Sequence, residues 1–260
     1  MDLELTEKVV LITGGAKGIG EAITRGCAHE GAIAVFVDKD IEAGKKLLTE
    51  LENAGTKCTF LGVDVLPAEN CRGAVEETLK IFGRLDVLVN NVGANDSVGL
   101  EAGSPEKFVA SLRLNLCHYY NMAHYGLPAL KNSRGCILNV ASKVAVTGQS
   151  GTSGYAASKG AILALTREWA AELLPYGVRV NAVIPAEVST PLYKQWINTF
   201  PNPEEKQARI ASKIPLGKRM TQPAEIAAMA LFLISAQASH ITGEHFFVDG
   251  GYTHLDRALT

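Results

Sequence analysis

The feature that most limits what this 260-residue chain can fold into is an alternation that runs from end to end. Short, almost continuously apolar runs occur at Lys8–Thr13, Ala32–Val37, Cys58–Val63, Leu85–Asn90, Cys136–Val140, Val178–Ile184 and His245–Val248. A run that is apolar throughout, rather than at every second position, suits a strand covered by helices on both faces. Helical patterns fill the gaps. One begins near Ala22; others cover about Ile41–Ala54, Pro67–Phe82 and Pro105–Leu130; one opens around Tyr155; the last covers Pro223–Ser235. Strict alternation predicts an α/β fold with a doubly wound parallel sheet. A proline-bounded segment, Pro185–Pro215, interrupts the pattern. With no linker, repeat or low-complexity stretch, one domain is expected over residues 1–260.

Composition removes several function classes. Apolar residues make up 47% and charged residues 20%, enough for a large core, and the net charge of −2 shows no long basic or acidic run. Nucleic acid and anionic membrane are therefore poor partners. Met1–Glu7 is acidic and lacks the apolar core of a signal peptide. No apolar stretch reaches the roughly eighteen residues of a membrane span. The five cysteines, Cys27, Cys58, Cys71, Cys117 and Cys136, are odd in number and scattered, which fits a reducing cytoplasm. No His/Cys/carboxylate cluster has metal-ligand spacing, so no metal is expected. His118 and His124 lie six apart, off any single helix face, and read as packing residues, as do Tyr119 and Tyr120, with subunit contact as the other reading for the tyrosines.

The first apolar run ends in Thr13-Gly14-Gly15-Ala16-Lys17-Gly18-Ile19-Gly20, where the first helix begins. A helix N-terminus offers unpaired N–H groups and the positive end of a dipole, which suits a phosphate. Glycines there let the backbone approach a pyrophosphate, although the spacing is not the usual G-x-G-x-x-G. Asp38 closes the second strand, where an acid can take the ribose hydroxyls of an adenosine and repel a 2′-phosphate. Lys17 and Lys39 pull the other way, toward NADP. Because Asp38 is fixed by its strand while lysines are flexible, NAD is the favoured cofactor and NADP remains possible. A turn aspartate capping the next helix is compatible with this role. Asp64 and Val65, at the end of the third strand, are placed to meet the adenine.

Tyr155 and Lys159 stand four apart in an apolar helical stretch and so share a face. A free phenol titrates near ~10, and a neighbouring cation favours the phenolate. The pair is thus a candidate base. The same spacing also fits a packed tyrosine beside a lysine whose head snorkels to water.

Five motifs stand in an order that resembles the short-chain dehydrogenases/reductases. They are Thr13-Gly14-x-x-x-Gly18-Ile19-Gly20, Asn90-Asn91-Val92-Gly93, Ser142, Tyr155-x-x-x-Lys159 and Asn181-x-x-x-Pro185. The resemblance covers essentially the whole chain. It implies a Rossmann-like seven-stranded parallel sheet, a nicotinamide cofactor and a homotetramer. It adds Asn91, Val92, Gly93, Pro185, Val188 and Thr190 to the cofactor set, and a ribose contact for Lys159. It implies that Tyr155 acts as base, that Ser142 holds the substrate oxygen, and that Asn115 holds a water linking the lysine to solvent. Val92, Ala141 and Ala186 depart from the family's commoner Ala, Ser and Gly. Within the family the chain is similar to the sugar-oxidising L-fucose dehydrogenases of bacteria. That likeness rests on Asn95-Asp96, His118–Tyr125, Ser142-Lys143, Thr147-Gly148-Gln149, Pro185–Val188, Thr190–Tyr193 with Trp196, and the tail Asp249–Arg257.

It implies oxidation of a sugar hydroxyl, the anomeric one of L-fucose or a related aldose. Beyond the strand ends, Asn95, Asp96, Lys143, Gln149 and Glu187 are rich in the partners a polyhydroxylated substrate needs. Each also fits an ordinary solvated loop. Trp196 would cover a sugar face or anchor the insertion, and residues 190–215 form the candidate lid.

Overall fold

A computed structural model of the chain describes residues 2–255; Met1, and Asp256 and Arg257 at the end of the tail noted above, lie outside them. Seven strands form one parallel sheet in the order β3-β2-β1-β4-β5-β6-β7: β1 (Val9–Thr13), β2 (Ile33–Asp38), β3 (Cys58–Gly62), β4 (Val87–Asn90), β5 (Cys136–Val140), β6 (Arg179–Pro185) and β7 (His245–Val248). Every residue of β1, β4 and β5 is buried, as the unbroken apolar runs require. One apolar cluster packs each face of the sheet, the first around Leu11, Leu88 and Ile162, the second around Ile12, Phe36 and Ile226.

The helices are α1 (Gly18–His29), α2 (Ile41–Asn53), α3 (Ala68–Phe82), α4 (Pro105–Leu112), α5 (His118–Ser133), α6 (Ser153–Leu173), α7 (Pro191–Ile197), α8 (Pro203–Ala211) and α9 (Pro223–Ile234). Among the described residues none is long and apolar enough to cross a membrane. The stretch read as one helix over 105–130 is two, joined by a π-helical turn at Arg113–Cys117. The interruption at 185–215 holds two short helices, each begun by a proline (Pro191, Pro203). Proline suits that first position, whose N–H would be unpaired anyway.

Strand order reverses between β1 and β4, and ligands of open α/β sheets bind beyond the carboxyl ends of the strands at such a point. A buried polar line fixes the neighbouring elements. Asn90 donates to Asn139 (3.1 Å), Asn139 to Thr166 (3.0 Å), and Thr166 to the Ile162 carbonyl (2.8 Å). These bonds tie β4, β5 and α6 together.

Candidate active site

At the switch point lies a cleft of about 580 Å³. One end is the loop between β1 and α1. Gly14 and Gly18 have φ of +64° and +58°, which side chains disfavour. A Cβ on Gly20 would stand 1.9 Å from the Gly14 carbonyl oxygen, so only glycine lets the loop fold onto the helix. The α1 N-terminus has no side-chain cap, so its first N–H groups lack a side-chain partner, and Gly18 and Ile19 of that turn line the cleft. This donor cradle fits the pyrophosphate of a dinucleotide.

The loop is braced from behind. Asn91 donates to the carbonyls of Thr13 (3.0 Å) and Gly14 (3.1 Å), and its own N–H donates to the Thr13 hydroxyl (2.9 Å). Asp38 accepts from the Ala16 N–H (3.1 Å) and the Asp40 N–H (3.0 Å). Asp38 is not the cap of α2: Asp40 is, accepting from the Ala43 N–H at 3.0 Å and pairing with Lys17. Lys39 stays exposed.

The sixteen residues expected to meet the cofactor all line the cleft: Gly14, Lys17, Gly18, Ile19, Asp38, Lys39, Asp64, Val65, Asn91, Val92, Gly93, Tyr155, Lys159, Pro185, Val188 and Thr190. Ser142 joins them. Asn115 lies just behind, in the π-helical turn, accepting from the Ala94 N–H (2.8 Å) and donating to the Ser111 carbonyl (3.2 Å). A Cβ on Gly93 would stand 3.1 Å from Asn115 Oδ1 and 3.2 Å from Lys159 Nζ, which places the three together.

Ionisation departs from the sequence expectation. The Tyr155 phenol is pushed up to about 12, not lowered. Burial is the main cause; the Ser142 hydroxyl, hydrogen-bonded to the phenol, opposes it, and the Asp96 carboxylate adds to it. The Lys159 Nζ lies 5.7 Å from the Tyr155 ring centre and donates to the Val140 carbonyl and the Tyr119 hydroxyl. Lys159 is 2% exposed, and burial brings it down to about 7. The snorkelling alternative is thereby removed: this lysine head is inside.

The residues expected to contact substrate divide. Ser142 and Tyr155 line the cleft; Asn95, Lys143, Gln149, Glu187 and Trp196 do not. Lys143 and Glu187 pair with each other, nearly buried, and Tyr193 of α7 donates to the same carboxylate. Asn95 turns back to accept from the Ser97 N–H (3.1 Å), and Gln149 is exposed. Their loops nevertheless touch: a Cβ on Gly99 would be 3.0 Å from Gly151, and the Gly154 N–H, next to Tyr155, donates to the Val98 carbonyl (3.1 Å). Trp196 meets Tyr193 edge-on at 5.2 Å, and Tyr193 lines the cleft.

A family model described as enoyl-(acyl carrier protein) reductase matches residues 14–253, which span the five ordered motifs apart from Thr13 at the start of the first. The chain belongs to the short-chain dehydrogenase/reductase family. The L-fucose dehydrogenase of Oryctolagus cuniculus, mammalian where a bacterial likeness was expected, is 41% identical over 94% of this chain and 84% of its own length. A solved structure of Cj0485 dehydrogenase is 44% identical, with a TM-score of 0.94, covering 100% of this chain and 99% of that one. The ligand-free aldohexose dehydrogenase of Thermoplasma acidophilum is 29% identical, with a TM-score of 0.88 over 97% and 96% of the two chains. As a short-chain dehydrogenase, the chain is an oxidoreductase of a family that uses NAD(P) with small-molecule substrates.

Two further residues stand beside this short-chain dehydrogenase site: Tyr119, read from the sequence as a packing or subunit-contact residue, and Asp96, read as one of the polar loop residues facing the substrate. Tyr119 is fully buried with its hydroxyl on Lys159, so it makes no subunit contact, whereas Tyr120 is 54% exposed. Asp96, grouped earlier with the loop residues, has one carboxylate oxygen buried without a partner and acts on Tyr155.

Proposed function

We propose that this chain is an NAD-preferring dehydrogenase that oxidises a sugar, taking a hydride from the anomeric carbon and a proton from its hydroxyl in L-fucose or a related aldose to give the lactone. The observation that carries the reading is the shared wall of one cleft: Ser142, Tyr155 and Lys159 at one end, a glycine cradle at a helix N-terminus at the other. The sugar assignment draws on the names of the L-fucose and aldohexose dehydrogenases to which the chain is similar. The bound nicotinamide supplies the hydride acceptor. Ser142 donates a hydrogen bond to the substrate oxygen and holds it beside Tyr155. Tyr155, as phenolate, takes the hydroxyl proton. Lys159, when charged, favours that phenolate and reaches the ribose. The Asn115 segment holds a water on the lysine side. Asp38 takes the adenosine ribose hydroxyls and disfavours a 2′-phosphate, and Asp64 with Val65 meets the adenine.

The loops carrying Asn95 and Gln149, the Lys143–Glu187 pair and Trp196 select among sugars as residues 190–215 close. Tyr193 couples that lid to the pair through Glu187. The enzyme works as a homotetramer, which would cover exposed apolar side chains such as Phe108, Val109 and Tyr120. Its cysteines, unpaired among the described residues, fit the cytoplasm.

A second reading is oxidation of a non-sugar alcohol or reduction of a ketone, favoured by the acyl-carrier reductase description of the matching family model. A non-catalytic nucleotide sensor would be expected to lack Tyr155 or Lys159, and both are present. The deciding experiment follows nicotinamide reduction with a panel of aldoses and non-sugar alcohols, with NAD and NADP in parallel. L-fucose or a close aldose should give the highest kcat/KM, and with NAD. Higher turnover of non-sugar alcohols overturns the sugar assignment.

A further inference from the structure

Lys159 has a second phenol behind it. Its Nζ donates to the Val140 carbonyl (2.8 Å) and to the hydroxyl of Tyr119 (3.1 Å), a residue that does not line the cleft. Tyr119 arrives from α5, and its hydroxyl donates its single proton to that same Val140 carbonyl (2.8 Å). A phenol whose proton is committed in this way can only accept from the lysine. The three groups close a triangle in which Tyr119 presents a lone pair to Nζ.

We propose that Tyr119 is a positioning residue for the reaction: its oxygen holds the Lys159 ammonium against Val140 and keeps it charged. The proposal rests on the reading of Lys159 as part of the active site. The surroundings explain why a single oxygen matters. Burial is what depresses the lysine, and no carboxylate acts on it. The groups facing it are Tyr155 on its own helix, His118 and Tyr119 on α5, Asn115 in the π-helical turn, and Gly93 after β4. His118 is itself brought down to about 4 by burial and by Lys159, so at working pH it is neutral. Only uncharged dipoles stabilise the ammonium, and a hydrogen bond to the charged form favours that form. Removing the Tyr119 oxygen leaves the Val140 carbonyl as the acceptor behind Nζ. The lysine then loses its proton at lower pH and no longer favours a phenolate at Tyr155.

The test is Tyr119→Phe, which keeps the buried ring and deletes the oxygen. Lysine Cε is labelled with 13C, the Lys159 signal is assigned with Lys159→Arg, and its titration is followed by NMR in the ligand-free protein. The Lys159 midpoint should fall by about half a unit or more. kcat should fall about tenfold, with KM for sugar and nucleotide within about threefold, because the loss lies in the charge state rather than in binding. Tyr119→Gln, which returns an oxygen acceptor, should recover part of the midpoint. Should Tyr119→Phe not fold, the same titration is read on Tyr119→Met. An unchanged midpoint in the folded variant overturns the proposal, even if kcat falls. A shifted midpoint in a protein that turns over no substrate of the panel sustains the lysine assignment and fails the functional reading instead.

Discussion

The two ends of the cleft are held by opposite means. At the glycine-loop end the wall is backbone, and Asn91, Thr13 and Asp38 turn their polar atoms back to brace it. At the reactive end the side chains are the wall, and burial has moved their ionisation, Tyr155 up and Lys159 down. The first end depends on shape and the second on charge. Substitutions should therefore fail differently, in nucleotide affinity at one end and in turnover and pH dependence at the other.

Tyr155→Phe gives the largest separation. Losing the proton acceptor should cut kcat by about 10³-fold or more, within the usual range for general-base catalysis. Nucleotide affinity, measured by calorimetry, should stay within a few-fold of the native value. Retained turnover removes Tyr155 as the base. Gly20→Ala probes the other end. Its methyl would stand 1.9 Å from the Gly14 carbonyl oxygen and 2.6 Å from Asn91 Nδ2, so the loop must shift. The nucleotide Kd should rise about a hundredfold, or about 2.7 kcal/mol, while kcat at saturating nucleotide changes little. Equal losses of kcat in both variants would erase the distinction between the two ends.

Asp38→Asn is the milder probe of the same end. The amide oxygen keeps one of the two backbone bonds and the negative charge is gone. The NADP-to-NAD ratio of kcat/KM should rise about tenfold, with a small loss of melting temperature from the loosened loop. An unchanged ratio would move the discrimination to Lys39, since Lys17 is engaged by Asp40.

The same division explains what could be read from the sequence. The fold was legible because parallel strands covered on both faces leave almost no polar position, as in Val9–Thr13 and Val87–Asn90. The glycine-loop end was legible because glycines and a strand-end acid follow from local backbone geometry. Single contacts between distant residues were not. Tyr119 meets Lys159 across 40 positions, and Lys143 meets Glu187 across 44, so Tyr119 looked like a packing residue and Lys143 and Glu187 like two separate polar loop residues. The π-helical turn left no mark on the apolar period; its one clue was Asn115, a polar residue in an apolar stretch. Helices α7 and α8 were readable and missed, because Pro191 and Pro203 look like breaks when they are first residues.

The smallest effect tests the charge argument most directly. Asp96 keeps one oxygen buried and unpartnered, and its charge raises the Tyr155 phenol. Tyr155 is a base only when ionised, so kcat/KM climbs as pH rises toward its pKa. Asp96→Asn removes the repulsion while keeping the shape, so the phenol ionises more easily. The climb should move to lower pH by about half a unit to one unit, with its plateau unchanged. Ser142→Ala should move it the other way, because that hydroxyl holds the phenol's pKa down. Opposite displacements from two uncharged replacements cannot come from a common loosening of the site. If instead the climb moves equally, or not at all, in both, the reactive end is governed by fit just as the glycine loop is.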